Sequence, residues 1–384
     1  VQLKRASNGT PIALGEELGR GGEGTVSRVV DAPDLVAKIY FEPPEAHKVA
    51  KLTAMVRLSP PELLRIAAWP IDLLLDDKEA VVGFLMQRVS SREDAHELYS
   101  PKSRRRAFPE ANFRFIVHAA TNVARAFAQL HSLGHVIGDV NHGNALIGRD
   151  ATVMLIDCDS FQVNDGDAHF TCDVGVPLFT PPELQGRNFR GLARSAGHDE
   201  FGLAILLFHM LYAGRHPFAG VFADGEMPIE QAIAESRFAY GANSEALRMS
   251  APPGTLALDA FGAPVAALFE RAFAAPGAAA RPTALEWVYA MSALEADLTT
   301  CAVSGDHDHP RATACCWCDL ENRALIVLFG PAPSRKVSFF DYAELEQFWG
   351  EIRAVKPLPE FNADHARLAA AMASREIEKR GGSA

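Results

Sequence analysis

Three polar stations interrupt otherwise apolar runs in this chain. In HVIGDVNHGN, residues 135–144, Asp139 stands four intervening residues ahead of Asn144, and Asp157 follows in LIDCD. A carboxylate at the first station can orient an acceptor hydroxyl and take its proton. An amide oxygen and a second carboxylate can hold Mg²⁺ bridging nucleotide phosphates, which is what phosphoryl transfer requires. Taken singly, each of these residues serves equally well as a loop cap, the commoner task of Asn and Asp. Upstream, Gly19, Gly21 and Gly24 in LGRGGEGTVSRV form G-x-G-x-x-G, with Val26 two residues later. Glycines let a backbone approach phosphate oxygens without a Cβ in the way. A plain glycine-rich turn explains that stretch as well on its own. The strand-like TVSRVV after it favours a β-hairpin over phosphates rather than a dinucleotide-binding turn, which would open a helix. Lys38 then ends the apolar run LVAK. An ammonium there is costly unless it meets an anion or snorkels to solvent. The order of these parts carries the reading, not any one of them.

A second constellation lies in CAVSGDHDHPRATACCWCD. It offers Cys301, His307 or His309, Cys315 and Cys318, with Cys316 as a spare thiol. The C-x5-H and C-x2-C pairs can close tetrahedrally around Zn²⁺. A redox-sensitive thiol cluster without metal is the alternative. The patch is too small to hold itself together, so a zinc here would be structural.

The elements that must position these residues follow from periodicity. Up to Val89, short apolar runs such as DLVAKIYF and AVVGFLM alternate with turns and predict strands. One helix interrupts them, Glu45 to Leu58, entered through Pro43 and Pro44. From Asn112 to Leu133, apolar residues recur at helical spacing and stop at Gly134. After two short strand-like pieces, ALIG and TVMLIDCDSF, helices dominate to about Leu294, notably EFGLAILLFHMLYAG. A mostly β lobe thus precedes a mostly α lobe. Beyond the cysteines, ALIVLF reads as a strand and DYAELEQFWGEIRAV as an amphipathic helix, predicting a small folded attachment.

With 384 residues, 48% of them hydrophobic, the chain can bury a full core. A net charge of −11 argues against nucleic-acid binding, which needs clustered cations. The basic run KSRRR, Lys102–Arg106, reads as a solvated loop. The longest clean apolar run, LAILLF at Leu203–Phe208, falls far short of the ~20 residues of a membrane span. The first residues lack the apolar stretch of a secretion signal, and the six cysteines are not spread like a disulfide framework. A cytoplasmic, reduced protein with no membrane and no nucleic-acid partner is expected.

The glycine loop, the Val-Ala-Lys strand, the Asp-x4-Asn loop and the later Asp resemble the ordered parts of the eukaryotic-type protein kinase fold, over about Ile12 to Leu294. PPEL at Pro181–Leu184 resembles the Ala-Pro-Glu element. Asp199 looks like the buried helix acid that braces the catalytic loop, and Arg281 like the arginine that pairs with Glu183. The resemblance implies an α+β, bilobal fold: an N-lobe over 10–89, a C-lobe over 90–296, a Cys/His zinc knuckle over 297–322 and an extension over 323–384. It implies ATP, with Lys38 on its phosphates and Asn144 and Asp157 on Mg²⁺. Met86, Gln87 and Val89 would form the hinge at adenine, and Val26, Ala37 and Leu146 would sandwich the ring. SPKSRRRAF, VIGDVNHGN, LIDCDSFQV, FTPPEL and GRHPFAG resemble a narrower bacterial kinase-like group with a C-terminal knuckle. That likeness favours Cys301, His307, Cys315 and Cys318 as zinc ligands. It also implies a protein substrate, such as a tellurite-resistance-type von Willebrand A protein, and a PP2C-type phosphatase as counterpart in a phosphorylation switch.

The chain departs from the kinase pattern at definite places. Ile137 and Gly138 stand where His and Arg are usual, Asn141 where Ser/Thr kinases place Lys, and Val176 where Thr is common. Without the arginine, an activation-loop phosphate loses its usual dock. Cys158 and Asp159, not Phe and Gly, follow Asp157; Cys158 can still pack as a small hydrophobe. Glu45 is the only acid of Glu45–Leu58, and a mid-helix register puts Lys51 where the glutamate partner of Lys38 is expected. Lys38 then needs another carboxylate or nucleotide phosphate. Three functions follow: a Ser/Thr-type protein kinase; a pseudokinase that binds nucleotide and acts as scaffold or sensor; or an enzyme of the same fold that acts on a small molecule or transfers a nucleotidyl group.

Overall fold

The computed structural model describes residues 2–330 except 167, 275 and 276. These residues belong to one compact unit, and DYAELEQFWGEIRAV lies outside them. A seven-stranded sheet forms the first lobe. Its strands run in the order Pro11–Ile12, Leu3–Arg5, Asp72–Leu75, Val81–Gln87, Ala32–Tyr40, Gly24–Val29 and Leu14–Arg20, each neighbour antiparallel. Leu3–Arg5 joins this sheet although it lies upstream of the expected lobe start at residue 10. One apolar residue, Leu3, followed by Lys4 and Arg5 is too short a pattern to give a strand signal; pairing with Asp72–Leu75 supplies it.

The helix Ala46–Arg57 packs under the sheet. Its register is fixed by Trp69, whose indole N–H donates to the Met55 carbonyl at 2.8 Å. In the second lobe the helix Phe113–Ser132 starts where Asn112 accepts the Phe115 N–H at 3.0 Å, an N-cap bond that satisfies one orphan donor. It lies against Ala284–Asp297, which opens on a Thr283–Glu286 capping box. Ala196–Leu211 is buried nearly all round, as its unbroken apolar run requires.

A single core cluster runs from Leu52 and Phe84 through these helices to Trp317 and Leu320 in the cysteine-rich segment. Trp317 stacks within 4.8 Å of both Phe113 and Phe329, so that segment shares the core of the helical lobe. No helix among the described residues is long and apolar enough to cross a membrane.

Two expectations from sequence are corrected. KSRRR is not a solvated loop: Pro101–Ala107 is a helix, with Pro101 at its first turn and the arginines in its last, where they favour the negative end of the dipole. Arg104 is buried and donates to the carbonyls of Leu98 at 3.1 Å and Leu328 at 2.7 Å. ALIVLF is not a strand either. The helix Cys316–Ala324 takes its first residue, Leu325 turns left-handed at φ 52°, and the rest is a strap held by Arg104 and Arg105.

Candidate functional site: an interlobe cleft and a thiol-imidazole cluster

A cleft of about 620 Å³ opens where the sheet meets the helical lobe. Its roof is the glycine hairpin, with Gly19, Gly21, Gly24 and Val26 on the lining; its wall is Met86, Gln87, Arg88 and Val89; its floor includes Leu146 and Ile156. The hairpin needs glycine at 24, because a Cβ there would collide with the Ile39 carbonyl oxygen on the next strand. Strand alternation decides the next assignment. Val36 and Lys38 face the cleft, while Ala37 faces the other side and is sealed beside Val29, Leu74 and Leu85. Ala37, expected at the adenine ring, thus faces away from the cleft, and Val36 stands on its lining instead.

At the inner end of the cleft, distant segments converge. Lys38 Nζ donates to Asp157 Oδ1 at 2.8 Å and to Asp159 Oδ1 at 2.7 Å. Burial alone would lower the Lys38 pKa, but the carboxylates of Asp159 and Asp157 outweigh it and hold the ammonium protonated. Asp139 also faces this space, and its Oδ1 is buried without a hydrogen-bond partner. Burial, with the Asp157 charge nearby, raises its pKa. Asn144 Nδ2 donates to the Asp139 carbonyl at 3.0 Å, and Asn141 does so at 3.2 Å. Thus Asn141, where a lysine was expected, staples the loop. Asp199 accepts the N–H groups of Ile137 at 2.7 Å and Gly138 at 2.8 Å, bracing the loop from beneath. Arg281 grips Glu183 with two bonds of 2.7 and 2.8 Å.

No family model matches the chain. Two relatives named Protein kinase YegI, from Escherichia coli O157:H7 and Escherichia coli strain K12, are 43% and 42% identical over 326 residues, covering 83% of this chain and 50% of each relative. A solved ROP18 kinase domain in complex with AMP-PNP and sucrose matches with a TM-score of 0.51 at 16% identity, over 77% of this chain and 83% of that one. The chain has a protein-kinase-like fold. It spans about half the length of the curated relatives it matches.

Within the kinase-like fold, the helix Ala46–Arg57 reverses the expected charge. It presents lysines to the cleft side, and Glu45 sits only at its N-cap. Lys48 Nζ lies 3.0 Å from Asp159 Oδ2, and Tyr40 donates its hydroxyl to the same oxygen at 2.7 Å. Buried Lys51 donates to the carbonyls of Ser160 at 3.1 Å and Thr171 at 3.2 Å. Burial, then the neighbouring Lys48 charge, lowers its pKa to about 8. Asp159 is the carboxylate that Lys38 lacked on the helix, and sequence reasoning missed it. The available signal was an acid two residues past Asp157 in a kinase-like motif that usually has glycine there. Cys158 between them is buried, packing as expected for a small hydrophobe.

The kinase-like lobe continues directly into the cysteine cluster. The hairpin Leu298–Thr300 with Asp308–Pro310 presents Cys301 and His307; the N-cap and first turn of the helix Cys316–Ala324 present Cys315 and Cys318. These four ligand atoms lie within 4.8 Å of one another. Cys301 Sγ is 3.7 Å from Cys318 Sγ, and His307 Nδ1 lies 3.4 and 3.6 Å from Cys318 and Cys315 Sγ. Those edges fit a tetrahedron with metal–sulfur bonds of about 2.3 Å. His309 is outside the cluster. The far nitrogen of His307, Nε2, meets Glu321 Oε2 at 3.2 Å, the carboxylate–imidazole arrangement that orients a metal-binding histidine. Glu321 also accepts the Leu328 N–H at 2.5 Å, tying the cluster to the strap.

Proposed function

We propose that the chain is an ATP- and Mg²⁺-dependent protein kinase of the Ser/Thr type, acting from the cytoplasm on a hydroxyl of a protein substrate. The N-lobe covers 3–89, because Leu3–Arg5 pairs into its sheet, followed by the C-lobe over 90–296, the knuckle over 297–322 and an extension over 323–384. The glycine hairpin covers the phosphates, with adenine between Val26, Val36 and Leu146 and facing the backbone of Met86, Gln87 and Val89. Lys38 holds the phosphates. Asp139 orients the acceptor hydroxyl and takes its proton as the new bond forms. Asn144 and Asp157 offer hard oxygens, the donor type Mg²⁺ takes, and the ion supplies charge neutralisation on the phosphates. Cys301, His307, Cys315 and Cys318 hold a structural Zn²⁺.

The observation that supports this reading most is the approach of Lys38, Asp139 and Asp157 to one end of the cleft, with Asn144 bonded to the Asp139 carbonyl. The unpartnered Asp139 Oδ1 is suited to accept a proton donor. The relatives' name and the AMP-PNP bound to the ROP18 domain point the same way. A phosphorylation switch with a von Willebrand A protein as substrate and a PP2C-type phosphatase as counterpart is the proposed setting.

A second reading, a pseudokinase that binds nucleotide as scaffold or sensor, is favoured by Asn141 and Val176 at positions of a transfer-competent kinase's Lys and Thr. Titration with ATP in the presence and absence of Mg²⁺, combined with a turnover assay on mixed protein acceptors, separates them. The kinase reading requires Mg²⁺-dependent binding with ATP consumption; binding without consumption supports the scaffold.

A further inference from the structure

We infer that Asp159 is the positioning residue for Lys38, replacing a helix carboxylate by one carried on the same turn as Asp157, and that Lys48 fastens the helix to it with inverted charge. This rests on the kinase reading and assigns the division of labour within its site.

Two acids lie two residues apart and both touch Lys38, so the question is which one the lysine keeps when a nucleotide enters. Burial answers it. The Asp159 side chain is 1% exposed, whereas the Asp157 side chain is 44% exposed. Three donors crowd Asp159: Lys38 Nζ on Oδ1 at 2.7 Å, Tyr40 hydroxyl on Oδ2 at 2.7 Å, and Lys48 Nζ at 3.0 Å from Oδ2. Held by two ammonium groups and a phenol and closed to solvent, this carboxylate presents no open face to a metal, whereas Asp157, open to the cleft, does. The left-handed backbone of Asp157, φ 57°, stands at the turn from which both acids reach one ammonium.

The polarity of the helix follows from this. With the acid on the turn, an acidic helix residue would repel it, and the helix instead supplies Lys48 to Asp159 and Lys51 to the carbonyls of Ser160 and Thr171. The helix is thus latched to the segment after Asp157 rather than to the lysine strand.

The test is titration of the full chain with ATP, with and without Mg²⁺, in four forms: wild type, Asp157→Asn, Asp159→Asn and Lys48→Glu/Asp159→Asn. Asp159→Asn should weaken ATP binding about tenfold or more whether or not Mg²⁺ is present, the scale of one charge-assisted hydrogen bond. Asp157→Asn should remove only the Mg²⁺-dependent part. The double variant returns a carboxylate to the Lys38 cluster from the helix, so it should recover most of the affinity lost in Asp159→Asn. Asp159→Asn binding like wild type overturns the inference, as does a double variant no better than Asp159→Asn. A wild type that binds no ATP overturns the kinase reading itself and this inference with it.

Discussion

The Arg194 guanidinium donates to the carbonyl oxygen of Gly138, the residue directly before Asp139. Its other terminal nitrogen reaches the Val174 carbonyl at 2.6 Å, and its plane lies 4.0 Å over the Phe189 ring. An arginine cannot stand at 138: the backbone has φ +75°, and a Cβ would come within 2.6 Å of Cys172. A cation beside Asp139 is therefore supplied from fifty-odd residues downstream, bonded to the backbone carbonyls of Gly138 and Val174.

Two outcomes are expected from this pair. Gly138→Ala should lower unfolding free energy by about 2–4 kcal/mol in urea titrations, combining left-handed strain and overpacking. Phosphatase treatment should leave the rate of phosphoryl transfer unchanged, while Arg194→Gln should reduce it, since only the latter frees the segment around Val174.

The motif order of the glycines, Lys38, Asp139, Asn144 and Asp157 was legible in sequence because spacing along the chain carries it. Helix limits near Asn112 and Glu45 were legible through caps and prolines. Asp159 was not, because its meaning lies in contact with Lys38 across more than a hundred residues, and no local pattern encodes that. Ala37 was misassigned because a motif gives position while strand alternation gives the face. The charge of KSRRR alone points to a loop, whereas Pro101 just before it marks a helix start. The strap after Ala324 is apolar because it covers Phe113 and Trp317, not because it joins a sheet.

The alternation of Val36 and Ala37 can be tested directly. Val36→Ala should weaken ATP binding with little change in melting temperature. Ala37→Leu should lower stability by about 1–3 kcal/mol through overpacking against Leu74 and Leu85, with binding affected less.

Removal of metal should be felt in the kinase-like lobe as well as at the cysteines, because Trp317 shares a core with Phe113 and Phe261. A strong chelator should lower the melting temperature in a single transition. Glu321→Gln, which loosens His307, should reduce zinc affinity by about 10–100-fold, read by competition with a chromogenic chelator.

Glu200 sets a pH dependence of stability. Burial raises its pKa to about 7. Between the ordinary carboxylate range and pH 7 the folded state keeps a proton that the unfolded state has released, so stability falls as pH rises through that window. Glu200→Gln should therefore gain melting temperature over wild type above pH 7 and little near pH 4.

The proposed role of Asp139 fixes a pH dependence of turnover. Its pKa is raised by burial, so if it takes the acceptor's proton the acid limb of kcat should fall at a pH above the ordinary carboxylate value. Steady-state rates from pH 4 to 8 at saturating Mg-ATP check this.

Intact-mass measurement after incubation with Mg-ATP and protein acceptors tests the four-residue phosphoryl-transfer site most directly. Wild type should place a phosphoryl mass on an acceptor or on itself, while Asp139→Asn and Asp157→Asn should not. The same adduct on all three proteins, or a nucleotidyl mass in place of the phosphoryl one, would contradict the account.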